Sequence, residues 1–287
     1  MSTGRRPWLR DRPGPQAPAP LVTPRPTLLS LRDGLLLRVI RKMGDNSMRI
    51  LALASALAFL ATGALAQDVV RMGTEGAYPP YSYLNDAGEL EGYEIDLGNE
   101  ICARAGLTCE WVTNEWDSII PNLVSGNYDT IMAGMTITPE RDEVIDFTQD
   151  YIPPTPSSYL GLSPDVDVTS GIIATQTNTL QSTYVAESGA TLLEFATQDE
   201  TVAAVRNGEA DAAFGDTDYL APIVESSGGE LTFIGEPVPL GAGIGIGVRE
   251  SDAELKAKLD EVLVAMKADG SLNALLTQWF GEGAPSY

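Results

Sequence analysis

From residue 67 onward, short apolar β runs alternate with helical patterns, and this alternation narrows the fold more than any other feature of the 287-residue chain. Strands are predicted over 69–74, 109–113, 130–133, 172–175, 212–214, 231–234 and 244–248. Helices are predicted over 94–105, 117–125, 139–144, 180–186, 199–207, 217–225, 253–269 and 272–279. The pattern predicts an α/β fold of lobes built on mainly parallel sheets flanked by helices. Two passages rich in Pro and Gly interrupt it, YIPPTP at 151–156 and PVPLGAGIGIG at 237–247. If both cross between the same two lobes, one lobe is 67–153 plus 245–287 and the other is 154–244, joined by two hinge crossings.

Local signals place several helix starts. Thr138-Pro139 sets a capping hydroxyl before a Pro at the first helical position. Asp252 is expected to cap the long helix that carries Leu255, Leu259, Val262, Leu263 and Met266 on one face.

The first 66 residues are a different material. They hold ten Lys/Arg against three Asp/Glu, a balance of +7, whereas 67–287 holds eight against 37, a balance of −29. Pro at 7, 13, 15, 18, 20, 24 and 26 argues against a packed element there, and 1–47 is expected to be a disordered extension or a mis-called start. Met48-Arg49, the apolar run 50–60 and Ala64-Leu65-Ala66 describe a secretory signal peptide over 48–66. The run is short for a membrane span, so export to the periplasm as a soluble protein is expected.

Composition excludes several functions. With no His there is no imidazole to act as base, metal ligand or neutral-pH switch. The acidic balance of 67–287 disfavours nucleic acid and anionic membranes, both of which require clustered Lys/Arg. Cys102 and Cys109 lie seven apart, one on a predicted helix and the other at the start of the next strand. In an oxidising compartment they point to a disulfide, with two buried free thiols as the alternative. A metal site would lack both His and a third thiol, so neither metal nor cofactor is expected.

The string 73–97, GTEGAYPPYSYLNDAGELEGYEIDL, resembles the opening of the periplasmic polar amino-acid binding proteins of ABC importers, solute-binding protein family 3. Trp116-Asp117, Ile120-Pro121, Tyr128-Asp129, the run Met135 to Arg141, QTNTLQ at 176–181, GEADAAFGD at 208–216 and Trp279-Phe280 continue the likeness in order. IDLGNEIC at 95–102 and the Cys102–Cys109 spacing resemble the lysine/arginine/ornithine and histidine binding group, whose members bridge these cysteines. The resemblance implies a two-lobe periplasmic binding protein-like fold of type II.

It also implies roles for particular residues. Arg141 would clamp a ligand α-carboxylate, for which a guanidinium fork is suited, and Asp216 would bind the α-ammonium. Thr136 and Thr179 match hydroxyl positions, and Thr179 precedes a helix starting at Leu180 whose free N–H groups favour an anion. Ala133 and Gly134 replace serines and, with Met135, leave backbone groups to bind. Asn178 stands where the family mostly has Gly, a turn that Asn tolerates. Glu75, Tyr78, Tyr81 and Trp116 would face the ligand side chain, Tyr78 and Trp116 as a sandwich and Glu75, in place of the family's Asp, as the partner of a cationic end.

The resulting expectation is a monomer that captures an L-amino acid, basic in character (arginine, lysine, ornithine or histidine), by hinge closure and delivers it to membrane ABC permease subunits. The alternatives are glutamine, citrulline or opine-type ligands, or an enzyme resembling periplasmic cyclohexadienyl dehydratases with Glu75 or Asp216 as acid or base. Opine binders usually lack an acid at the position of Asp216, which favours a plain amino acid.

Overall fold

The computed structural model describes residues 69–287. The extension and signal peptide expected over 1–66 lie outside the described residues.

The chain begins with β1 (Val69–Thr74), a small antiparallel sheet of β2 (Ala77–Tyr78), β3 (Ser82–Leu84) and β4 (Leu90–Glu91), and α1 (Tyr93–Ala105). It continues through β5 (Thr108–Thr113), a 3-10 turn (Trp116–Ser118), α2 (Ile119–Val124), β6 (Thr130–Ile131), α3 (Pro139–Asp142) and β7 (Asp146–Ile152). A second set follows: β8 (Pro156–Gly161), β9 (Ile172–Gln176), α4 (Leu180–Ser188), β10 (Thr191–Phe195), α5 (Gln198–Asn207), β11 (Ala212–Asp216), α6 (Thr217–Ser226) and β12 (Thr232–Pro239). The chain closes with β13 (Ile244–Val248), α7 (Ala253–Asp269) and α8 (Ser271–Phe280).

These elements form two five-stranded sheets with one shared plan. The first runs β5-β1-β6-β13-β7 and the second β10-β9-β11-β8-β12. In each, three adjacent strands are parallel, the fourth is reversed, and the fifth pairs antiparallel with that reversed strand. Four of five strands therefore point the same way, which is the two-lobe α/β architecture expected. The reversed strands, β13 and β8, are the two that directly follow the passages between sheets.

Packed helix faces stabilise the first lobe. Leu97, Ile101 and Cys102 of α1 pack with Leu259, Val262, Leu263 and Met266 of α7 in one buried cluster, with Leu255 against its edge. Each fully buried aliphatic side chain there contributes roughly 1.5–3 kcal/mol by leaving water. Cys102 and Cys109 are joined in a disulfide that ties α1 to β5, with Cα atoms 6.2 Å apart.

Some local expectations fail for identifiable reasons. Asp252 occupies the position before α7, but its carboxylate caps nothing. It pairs instead with Arg249, 2.5 Å away, a guanidinium that outcompetes a backbone N–H for a carboxylate. β7 and β8 flank Pro153-Pro154, so reading that passage as a loop hid strands on both sides. β10 and the short strands β2–β4 also escaped the pattern. By contrast, the Thr138 hydroxyl does accept the Arg141 N–H at 3.2 Å, with Pro139 at the first position of α3.

Candidate functional site

The loops at the C-terminal ends of the parallel strands are where open α/β sheets place ligands. Both sheets turn these ends toward one cleft. Glu75 follows β1, Trp116 follows β5, and Ala133, Gly134 and Thr136 follow β6. Thr179 and Leu180 follow β9, and Asp216 ends β11. Tyr78 and Arg141 complete the expected residues that line the cleft.

The two lobes meet across it through hydrogen bonds. The Tyr78 hydroxyl donates to Asp216 Oδ2 at 2.7 Å, and Gln176 Nε2 donates to Glu75 Oε1 at 2.8 Å. Trp116 Nε1 donates to the Thr177 carbonyl at 3.0 Å, and Arg141 Nη2 to the Asn178 carbonyl at 3.2 Å. Asn178 takes φ +56°, the left-handed turn that Asn accommodates.

Arg141 is held from several sides. Its Nη1 donates to the Thr136 carbonyl at 2.7 Å, and its guanidinium carbon lies 5.4 Å from the centre of the Trp116 ring. Burial lowers its pKa to about 10, against the pull of Asp216 and Glu140. The other described arginines, Arg71, Arg104, Arg206 and Arg249, each form an ion pair, but Arg141 has no carboxylate within 4.0 Å. A half-buried guanidinium hydrogen-bonded only to carbonyls retains its affinity for an anion.

Asp216 sits opposite. It holds the position before α6, but its side chain makes no cap bond. Its oxygens accept from Tyr78 and, at 2.7 Å, from Gln181 Nε2, while burial raises its pKa. Burial also pushes Glu75 up to about 7, partly offset by the Gln176 hydrogen bond. Gly134 has φ +60°, and its N–H donates to the fully buried Glu94 at 2.7 Å. That anchor fixes the loop carrying Ala133 to Thr136. The Thr179 hydroxyl caps α4, accepting the Ser182 N–H at 3.1 Å and donating to the Gln176 carbonyl at 2.7 Å.

Two expected residues stand elsewhere. Tyr81 is fully buried behind the cleft wall, its ring 5.4 Å from Tyr78 and edge-on to Phe280, so it supports Tyr78 and lines nothing. Met135 is buried and turns to an adjoining hollow beside Ile119 and Ile120, because alternation along the loop points it away from Gly134 and Thr136. Sequence reading missed Gln176, Gln181, Gln198 and Tyr219. The two glutamines at 176 and 181 bracket the QTNTLQ motif, and Tyr219 stacks on Tyr78 with ring centres 4.4 Å apart. Gln198 follows β10, the strand that the pattern did not reveal.

A solved periplasmic His/Glu/Gln/Arg/opine family-binding protein from Silicibacter pomeroyi, in complex with lysine, is 67% identical, covers 76% of this chain and 100% of its own, and superposes with a TM-score of 0.75. The L-arginine-binding protein of Pseudomonas aeruginosa is 32% identical over 252 residues, 81% of this chain and 97% of that one. An ancestral amino acid-binding protein, a precursor of cyclohexadienyl dehydratase, is 28% identical over 74% of this chain and 95% of its own, with a TM-score of 0.67. The profile of one family matches residues 70–282, nearly all of the described chain, and the protein belongs to the bacterial extracellular solute-binding proteins, family 3.

Proposed function

We propose that the protein binds an L-amino acid with a cationic side chain (arginine, lysine, ornithine or histidine) in the cleft between its lobes, and hands it to a membrane ABC permease. The observation that carries this reading is Arg141, the one described arginine without a carboxylate partner, half-buried in the same cleft as Asp216. Together they offer a cation for an α-carboxylate and an anion for an α-ammonium, the two charges common to every amino acid. The cleft then adds Glu75 and the aromatic faces of Tyr78 and Trp116, which favour a positive side-chain end and repel an acidic one. The lysine complex of the Silicibacter pomeroyi relative and the name of the Pseudomonas aeruginosa relative support the ligand class. Export to the periplasm fits the periplasmic Silicibacter pomeroyi relative and the apolar run at 50–60.

The test is thermal unfolding of residues 67–287 with each common amino acid, ornithine, citrulline and octopine. A ligand that binds only the folded state raises the midpoint by mass action. Lysine, arginine, ornithine or histidine should raise it, and Arg141→Ala should remove the effect. A shift only with glutamine, citrulline or an opine would overturn the ligand class. Conversion of prephenate or arogenate by the protein would overturn the absence of chemistry.

A further inference from the structure

One wall of the cleft holds two carboxamides, those of Gln176 and Gln198, each only 4% exposed. Their orientations are fixed by neighbours that admit a single assignment. The Thr201 hydroxyl donates to the Gln198 main-chain carbonyl at 2.7 Å, so its oxygen is left as an acceptor, and the Gln198 group 3.0 Å away must be the NH2. The Ala196 carbonyl, an acceptor only, lies 3.0 Å from the Gln176 amide, which must also present its NH2 there and to Glu75. Both N–H groups of the Gln176 amide are thereby engaged, and the Gln198 amide nitrogen is engaged with Thr201 and packed against Gly215. Among the described residues neither Oε1 has a donor, and neither is sealed from solvent, so each can still accept at the cleft wall that both side chains line. Gly215 completes the arrangement, since a Cβ at that position would stand 2.3 Å from Gln198 Nε2.

We infer that Gln198, with Gln176, determines ligand specificity by presenting two carboxamide oxygens to the cleft that Glu75 also lines, a set of acceptors that favours side chains ending in N–H donors. An ammonium or guanidinium has only donors to offer. A glutamine amide or a citrulline ureido group would bring an oxygen against oxygens, and a methyl end would leave all of the acceptors dry. The inference rests on the amino-acid reading above and sharpens it from charge to hydrogen-bond polarity.

The experiment is calorimetric titration of lysine, norleucine and glutamine into the unaltered protein, Gln198→Leu and Gln198→Glu. Norleucine matches lysine in length but lacks the ammonium. The unaltered protein should prefer lysine to both others. Gln198→Leu should narrow the lysine-to-norleucine preference about tenfold or more, as expected for loss of one hydrogen bond to a charged group and of an unmet acceptor beside the methyl end. Gln198→Glu should retain or widen that preference. Gln176→Leu, measured in the same way, decides the matter if Gln198→Leu does not fold. An unchanged lysine-to-norleucine ratio in a folded variant that still binds lysine overturns the role of the amides and leaves the binding reading intact. Tighter binding of glutamine than of lysine by the unaltered protein overturns the inference and the cationic ligand class, leaving amino-acid binding itself intact. Binding of no amino acid overturns both.

Discussion

The molecule contains two arginine–carboxylate regions with opposite outcomes. Beneath the first sheet, Asp129 receives Arg71 at 2.9 Å and Arg249 at 2.9 Å, and both guanidinium groups also donate to nearby main-chain carbonyls. Burial alone would raise the Asp129 pKa, but the hydrogen bonds from Arg71 and Arg249 overcome it and hold the carboxyl at about 2. In the cleft the same residue types are kept apart. Arg141 is lowered to about 10, Glu75 is raised to about 7, and Asp216 is raised as well, each by burial first. The first region has spent its electrostatic attraction on the fold. The second holds it in reserve for something that brings both charges.

The contrast can be broken most sharply at Arg141. Arg141→Met should weaken lysine binding about a hundredfold or more, the usual loss when one side of a buried charged hydrogen-bond pair is removed. Its ligand-free unfolding midpoint should stay level or rise, because an unpaired buried cation is costly. A large fall in ligand-free stability would show that Arg141 is structural after all. Asp129→Asn should do the reverse, costing about 2–3 kcal/mol in denaturant unfolding while leaving lysine affinity within twofold. If its lysine affinity falls with its stability, the two regions are coupled and the comparison fails.

The smallest effect is the pH dependence. Glu75 has a folded pKa above its unfolded value of about 4.3, so the folded form binds the extra proton and stability falls as pH rises from there through about 7. The slope of the ligand-free midpoint between pH 5 and 7.5 should therefore flatten in Glu75→Gln, an effect on the order of 1 kcal/mol after solvent screening. Glu94, raised in the same direction to about 7, leaves a residual slope. A saturating cationic ligand should also flatten it in the unaltered protein, and an identical slope in all three samples would remove Glu75 from the charge balance of the cleft.

Legibility in the sequence followed how local each determinant is. α3 and α7 are visible because their signals, Thr138-Pro139 and the apolar face ending in Met266, lie within a few turns. β2 and β4 have two residues each and owe their existence to partners rather than to pattern. Arg141 and Asp216 were readable because motif and physics agree on them. Tyr81 and Met135, also expected at the ligand, stand behind Tyr78 and at the adjoining hollow, placements that sequence order does not distinguish from lining the cleft. Gln198 was invisible for a different reason. Its importance depends on Thr201, Gly215 and the end of β10, which come together only in three dimensions.

The register of the strands beside the crossings has a consequence for modularity. Ile152, the last residue of β7, pairs with Ile244, the first of β13. Pro156, the first residue of β8, pairs with Pro239, the last of β12. Topologically the whole second sheet with its helices is an insertion at the tip of a β7–β13 hairpin, entering and leaving at adjacent points. Excision would require only a short turn to reseal the host, and the excised piece would have neighbouring ends of its own. The same arrangement makes the insertion a natural unit for exchange between relatives, carrying Gln176, Gln198 and Asp216 together while Arg141 stays with the host.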